Sequence, residues 1–176
     1  VALDGNGDAI IYWREEVGTF IPNEAENQTG ELMVRYRNND GSLEDAKSVS
    51  PEGEDSFNAS QEINKPRIVF HDGKAAITWW GVSNGRNVIY ASVMNEKNTW
   101  VRSQLTASGK SAILPSISIN SNAERLGVSW QRTDGLHYRI QSRFYDFNSN
   151  KWTQVHTASD PGGNAIHSDI NMDGNN

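Results

Sequence analysis

The sequence predicts an all-β fold assembled from repeats of one four-stranded antiparallel unit, and three observations carry the prediction. Three apolar or alternating runs contain tryptophan at their ends: Ala9-Ile10-Ile11-Tyr12-Trp13, Ala75-Ala76-Ile77-Thr78-Trp79 and Leu126-Gly127-Val128-Ser129-Trp130. Runs of this kind between turn residues read as strands. A second tryptophan follows the later two runs, Trp100 and Trp152, and these lie 52 residues apart. No sustained apolar stripe of helical period competes with the strand reading.

The later two copies define the unit. Its first strand is Pro66-Arg67-Ile68-Val69-Phe70 or Pro115-Ser116-Ile117-Ser118-Ile119, with the prolines 49 residues apart. The tryptophan-ended run is the second strand. Ten residues beyond Trp79 and Trp130 stand Ile89 and Ile140, in third strands Val88-Ile89-Tyr90-Ala91-Ser92-Val93 and Arg139-Ile140-Gln141-Ser142-Arg143-Phe144. Polar turns, Asn95-Glu96-Lys97-Asn98 and Asp146-Phe147-Asn148-Ser149-Asn150, lead into fourth strands at Trp100 and Trp152. The opening of the chain fits the same template. Val1-Ala2-Leu3 is its first strand, Trp13 closes the second, Leu32-Met33-Val34-Arg35-Tyr36 is the third, and Leu43 stands where the other copies have tryptophan. Near the end, Asp169-Ile170-Asn171-Met172-Asp173-Gly174-Asn175 repeats the opening, as a fourth first strand and the start of its turn. The predicted units span about 1–50, 66–107 and 115–158, with the extra strand at about 167–173, in one β segment covering 1–176.

Units of this length, with a Gly/Asp/Asn turn after the first strand and a polar turn before the last, are what a β-propeller blade needs. Apolar faces bury between neighbouring blades, and large aromatics fill the space where blades splay apart. A β-sandwich also uses short strands at such intervals; the matched aromatic positions favour the propeller. The sequence resembles the Trp-containing propeller repeats of bacterial secreted proteins, most closely over Asp4-Gly5-Asn6-Gly7-Asp8-Ala9-Ile10-Ile11-Tyr12-Trp13. Polar turns ending in tryptophan, as from Asp146 to Trp152, are also similar to the Asp-box of sialidases and to kelch repeats. The full Ser-x-Asp-x-Gly-x-Thr-Trp and the kelch Gly-Gly pair are not met. The resemblance covers nearly the whole chain and implies an extracellular, periplasmic or cell-surface bacterial protein. It implies no activity, because function belongs to a site rather than a fold. Three blades do not close a ring of the usual four to eight. The expectation is therefore a segment of a larger propeller, or a homodimer closing a six-bladed ring.

Composition narrows the function classes. With 16 Lys+Arg against 22 Asp+Glu the net charge is −6, and no basic cluster supplies the footprint of a nucleic-acid binder. No apolar stretch is long enough for a membrane-spanning helix. Zero Cys removes disulfides, thiolate nucleophiles and Cys-ligated zinc. His71, His137, His156 and His167 have no metal-ligand spacing, and no phosphate loop, dinucleotide fingerprint or nucleophile elbow is present, so no cofactor is expected.

The differences between copies point to a site. Trp13 to Leu32 is 19 residues where the later copies use 10, and Leu43 to Pro66 is 23 where the next copy uses 15. In a propeller both connections leave the same face, and long loops on a rigid scaffold are where function concentrates. These loops and their flanks carry Glu15, Glu16, Glu24, Glu26, Glu31, Glu52, Glu54, Asp55 and Glu62. Carboxylates accept hydrogen bonds from sugar hydroxyls and bind hard cations. Trp80 should turn to the side opposite Trp79, where it can stack on a sugar ring or pack beneath the loops. The candidate ligand-binding set is therefore Arg14, Glu15, Glu16, Glu54, Asp55 and Trp80. Asp4, Asn6, Asp8 and Glu15 match positions of a calcium loop, but Ala9 stands where such a loop needs glycine. A tight turn explains the same residues.

These features predict a non-catalytic binding or scaffold module with carbohydrate or protein as its ligand. The alternative is a fragment of a sialidase-like or other glycoside-processing propeller enzyme. That would need two carboxylates flanking one bond, Glu15 or Glu16 meeting Glu54 or Asp55. Arg14, Arg67 and Arg132 sit in no sialidase motif, and no catalytic residue is assigned.

Overall fold

The computed structural model describes residues 1–16, 30–50, 65–107 and 109–174. Their strands form three antiparallel sheets in chain order. The first holds β1 (Ala2–Leu3), β2 (Ala9–Glu16), β3 (Gly30–Arg37) and β4 (Lys47–Ser48). The second holds β5 (Arg67–His71), β6 (Lys74–Ser83), β7 (Arg86–Glu96) and β8 (Thr99–Gln104). The third holds β9 (Ala112–Ile119), β10 (Arg125–Thr133) and β11 (Tyr138–Asp146), with β12 (Lys151–Trp152) and β13 (His156–Thr157) both beside β11. Among the described residues there is no helix, and the chain is all-β. Spatial order follows sequence order from the first to the fourth strand of each sheet, as short antiparallel connections favour.

Register ties the sheets to one template. The residue four before each aligned tryptophan starts a cross-strand row. The rows are Leu3, Ala9, Arg37 and Leu43; Phe70, Ala75, Met94 and Trp100; and Ile119, Leu126, Tyr145 and Trp152. Leu43 thus occupies the tryptophan register, through a single bridge to Arg37, while β4 itself lies further on. The second strands do not close at tryptophan. They run on to Glu16, Ser83 and Thr133, because the polar residues beyond still pair with the third strands, Arg14 with Leu32 and Gln131 with Ile140 among them.

Alternation then decides what each face meets. Trp79 and Trp130 are 1% and 0% exposed. Trp79 packs with Ala75 and Ile77 against Ile10, Leu32 and Val34 of the first sheet, its ring 5.7 Å from that of Tyr90. Trp130 packs with Val128 against Ile89, Ala91 and Leu105 of the second sheet region. Trp13, in the same register, lies on the face of the first sheet turned away from the second; the Arg35 guanidinium stands 5.9 Å over its ring. The ends of the neighbouring row are open: Leu3 is 65% exposed where its counterpart Phe70 is 6%, and Leu43 is 54% exposed, although Ala9 between them is 4% exposed. The first strands are neighbours, β5 lying between β1 and β9. Side chains also tie the sheets together. Tyr12 donates to the Pro66 carbonyl at 3.0 Å, Lys97 pairs with Glu44 at 3.1 Å, and Lys74 donates to the Ala123 carbonyl at 3.0 Å.

The segment 164–174 joins no ladder among the described residues and instead lies along the far face of β10. His167 N donates to Gln131 Oε1 at 3.2 Å, Ser129 Oγ bonds Ser168 Oγ at 3.2 Å, and Met172 N donates to Ser118 Oγ at 3.1 Å. Gly127 makes the approach possible: a Cβ there would stand 2.6 Å from Ile170 Cδ1 and 3.0 Å from Met172 Sδ. Ile170 and Met172 therefore meet the third sheet as Ile68 and Phe70 meet the first, and as Ile117 and Ile119 meet the second.

Candidate functional site

At the end of the sheets where the first strands begin, a cleft of about 480 Å³ opens between Arg67 and Ile68 of β5, residues 114–117 of β9, and residues 167–169. A bulge shapes its wall. Ser116 pairs with Ser129 and Ile113 with Gln131, so Leu114 and Pro115 together oppose Trp130. Pro115 has no N–H to give the ladder, which makes this the cheap place to interrupt it. Leu114 has φ 55° and His167 φ 57°, in the left-handed region where a side chain costs about 1–2 kcal/mol. Ser116 Oγ donates to Asp169 Oδ1 at 2.5 Å and fastens the C-terminal segment to β9. Arg67 is exposed and makes no ion pair with a described residue. The cleft thus presents a guanidinium, an imidazole, serine hydroxyls and the Asp169 carboxylate, the last engaged by Ser116. A guanidinium with nearby hydroxyls is suited to a carboxylate, which it can bind through two parallel hydrogen bonds.

Arg67, Ser116 and Asp169 occupy one position of the repeat, the residue before Ile68, Ile117 and Ile170. Their types differ, so no local sequence signal marks them as a set. The signal that finds them is the alignment of the first strands together with the side-by-side placement of those strands.

The candidate residues named from the sequence lie in other places. Arg14 and Glu15 are near the end of β2, at the same end of the sheets as the cleft; Glu15 faces Glu31 across the ladder, and the Arg14 side chain lies over Gly30. Trp80 pairs with Ile89 and packs against the cluster of Leu105, Ala112 and Trp130, with its indole N–H removed from water. It does not line the cleft. Glu54 and Asp55, with Glu24, Glu26, Glu52, Glu62 and the side chain of Glu16, lie outside the described residues.

The carboxylates of Asp4 and Asp8 serve the first turn. Asp4 Oδ1 accepts from Asn6 N at 2.9 Å and Asp8 N at 3.0 Å. Asp8 accepts from Asn39 N at 2.7 Å and from the Tyr36 hydroxyl at 2.8 Å. Burial and then that bond to Asp8 hold the Tyr36 phenol above its usual range. Glu15, on β2, is carried away from this turn. Among the described residues no group of three or more His, Asp or Glu is placed to hold a metal.

The loop after β10 is fixed by Asp134. Its carboxylate accepts from His137 N at 2.8 Å and Leu136 N at 2.9 Å and pairs with Arg139 at 2.8 Å. The backbone bonds from His137 and Leu136, then the Arg139 charge, lower its pKa from 3.8 to about 2. A depressed carboxylate contributes stability that is complete above the unfolded value and is lost as pH falls through the folded one. The expected result is a loss of stability between 3.8 and about 2 that Asp134→Asn makes shallower, read from urea midpoints measured across that range.

No family model, no curated protein and no solved structure matches this chain.

Proposed function

We propose that the three sheets are consecutive blades of a β-propeller, and that the chain is a non-catalytic binding module of a secreted or cell-surface bacterial protein. Its ligand is a carbohydrate carrying a carboxylate. The blade reading is supported by the common register of the rows and by the adjacent first strands. It is also supported by Trp79 and Trp130, each packed toward the sheet before its own.

The observation that carries the ligand reading is the cleft at the starts of the first strands, where Arg67 stands without an ion-pair partner among the described residues beside Ser116, Ser168 and His167. Arg67 receives the carboxylate, and the hydroxyls and imidazole exchange hydrogen bonds with ring hydroxyls. Calorimetric titration of carboxylated oligosaccharides and their neutral counterparts tests this. Arg67→Ala should weaken binding of the carboxylated members about ten- to a hundredfold, the range expected for losing a hydrogen bond to a charged group. Binding of the neutral members should hardly move. Equal affinity for both kinds of sugar, or an affinity untouched by Arg67→Ala, would overturn the reading.

A further inference from the structure

One position of the repeat holds arginine in the first and third sheets and serine in the second. The residues paired across the ladder with Ile11, Ile77 and Val128, each two before its aligned tryptophan, are Arg35, Ser92 and Arg143. Arg35 places its guanidinium 5.9 Å over Trp13. Arg143 spans the junction of the second and third sheets. Its Nε donates to the Thr153 carbonyl at 2.7 Å, its Nη1 to the Leu105 carbonyl at 3.3 Å, and the guanidinium lies 5.9 Å over Trp152. Leu105 has a counterpart in Val49: Leu105 N donates to the Ile89 carbonyl and Val49 N to the Leu32 carbonyl, and Ile89 and Leu32 stand opposite the equivalent Trp80 and Arg14.

The junction of the first and second sheets therefore has Ser92 where the next junction has Arg143, and a serine hydroxyl is too short to span it. A cleft of about 300 Å³ takes up the space, between residues 48–50 on one side and Ser92, Trp100 and Arg102 on the other. Three groups in it have a proton to give. Ser92 is 1% exposed and its Oγ has no hydrogen-bond partner, a state that buried hydroxyls seldom keep. Ser50 Oγ accepts from Leu32 N at 2.7 Å, which uses a lone pair and leaves the proton. Arg102, opposite Ser92 on β8, is exposed, with its guanidinium 5.9 Å over the Tyr90 ring. That guanidinium has the aromatic contact of Arg143 but no hydrogen bond or ion pair among the described residues. Among the described residues no acidic side chain lines the cleft.

We propose that this cleft binds a small oxyanion, a sulfate or carboxylate group, with Arg102 as its charged partner and the hydroxyls of Ser50 and Ser92 as further donors. A guanidinium beside hydroxyl donors suits such a group, and charge-assisted hydrogen bonds are the strong ones. Arg102 can leave the Tyr90 ring without breaking a hydrogen bond, and its movement onto the anion opens the way to Ser92 Oγ. The proposal rests neither on the blade reading nor on the cleft at Arg67, with which this one shares no residue.

The test is a nitrogen-15 NMR titration with sodium sulfate, chloride holding the ionic strength constant. The Arg102 Nε and Ser92 amide resonances should shift saturably. Arg102→Gln, read at the Ser92 amide, should weaken sulfate binding about ten- to a hundredfold, and Ser92→Ala, read at Arg102 Nε, about three- to tenfold. Urea midpoints keep a structural role apart: both variants should stay close to the wild type, because Arg102 is exposed and the Ser92 hydroxyl has no partner to lose. Sodium acetate and glucose 6-sulfate, titrated in the same way, distinguish a carboxylate from a sulfate and a free ion from one carried by a sugar. Saturable binding of any of these with the same dependence on Arg102 supports the site. Shifts that never saturate and match those given by chloride would mean an adventitious ion only, and overturn the proposal. An affinity unchanged in either variant overturns it too. Arg67→Ala should leave the sulfate response at Arg102 intact; loss of that response would place the anion in the other cleft and also overturn the proposal. Failure here and failure of the saccharide reading are thus distinguishable.

Discussion

Trp130→Ala should lower the free energy of unfolding by about 3–5 kcal/mol, the cost of emptying a fully buried aromatic site. Trp13→Ala, in the same register, should lower it by no more than about 1 kcal/mol while the chain is monomeric. The difference lies in what each ring meets. Trp130 is enclosed by Ile89, Ala91, Leu105, Ala112 and Val128, from two sheets and the connection between them. Trp13 has Arg35 over one side and is only half-buried, on the face of the first sheet turned away from the second. The Trp130 indole N–H has no hydrogen-bond partner among the described residues. Its contribution is therefore volume and apolar area, and Trp130→Phe should cost well under half of what Trp130→Ala costs. Urea unfolding followed by far-ultraviolet circular dichroism measures all three.

The same pair marks the limit of what local sequence conveys. Trp13, Trp79 and Trp130 end runs of the same character, and alternation places all three on corresponding faces. Strand identity, hairpin order and even the register of Leu43 follow from that local pattern, because a two-residue period and turn chemistry are set by near neighbours. Whether the face is covered depends on a sheet some fifty residues away, and no local signal encodes it. Pro115 within a strand does announce a bulge. The left-handed Leu114 before it does not, since a residue preceding proline ordinarily stays extended. The cleft was hidden for a related reason. Arg67, Ser116 and Asp169 share a repeat position but no chemical type, and they converge only because two first strands, β5 and β9, and the C-terminal segment lie side by side. The charge of the acidic loops is concentrated in sequence, whereas Arg67 is a single cation between Pro66 and an apolar strand.

The turn between β9 and β10 should also prove sensitive, and through polar chemistry alone. Asn120 is fully buried, and its Oδ1 accepts from Glu124 N at 3.0 Å and Arg125 N at 2.8 Å. Its backbone closes the turn as well, N to the Arg125 carbonyl at 3.0 Å and carbonyl to Ala123 N at 2.9 Å. Asn120→Ala removes the side-chain acceptor from Arg125 N, while Glu124 N keeps the Asn122 Oδ1 at 3.3 Å; a donor left without a partner costs about 1–3 kcal/mol. A loss of about 1–3 kcal/mol is the expected result. Asn120→Asp keeps the acceptor but buries a charge, so its loss should fall between those of the wild type and the alanine variant. Asp4 plays the same part in the first sheet with a half-buried carboxylate bonded to Asn6 N and Asp8 N. Asp4→Ala should cost about 1 kcal/mol, since water can replace what is lost. The turn at Asn120 follows the end of β9, four residues beyond Ser116, and does not line the cleft. Below its unfolding transition, the Asn120→Ala protein should therefore bind saccharide with unchanged affinity. A weakened affinity would show that the turn and the cleft are mechanically coupled through β9, and that the scaffold is part of the site.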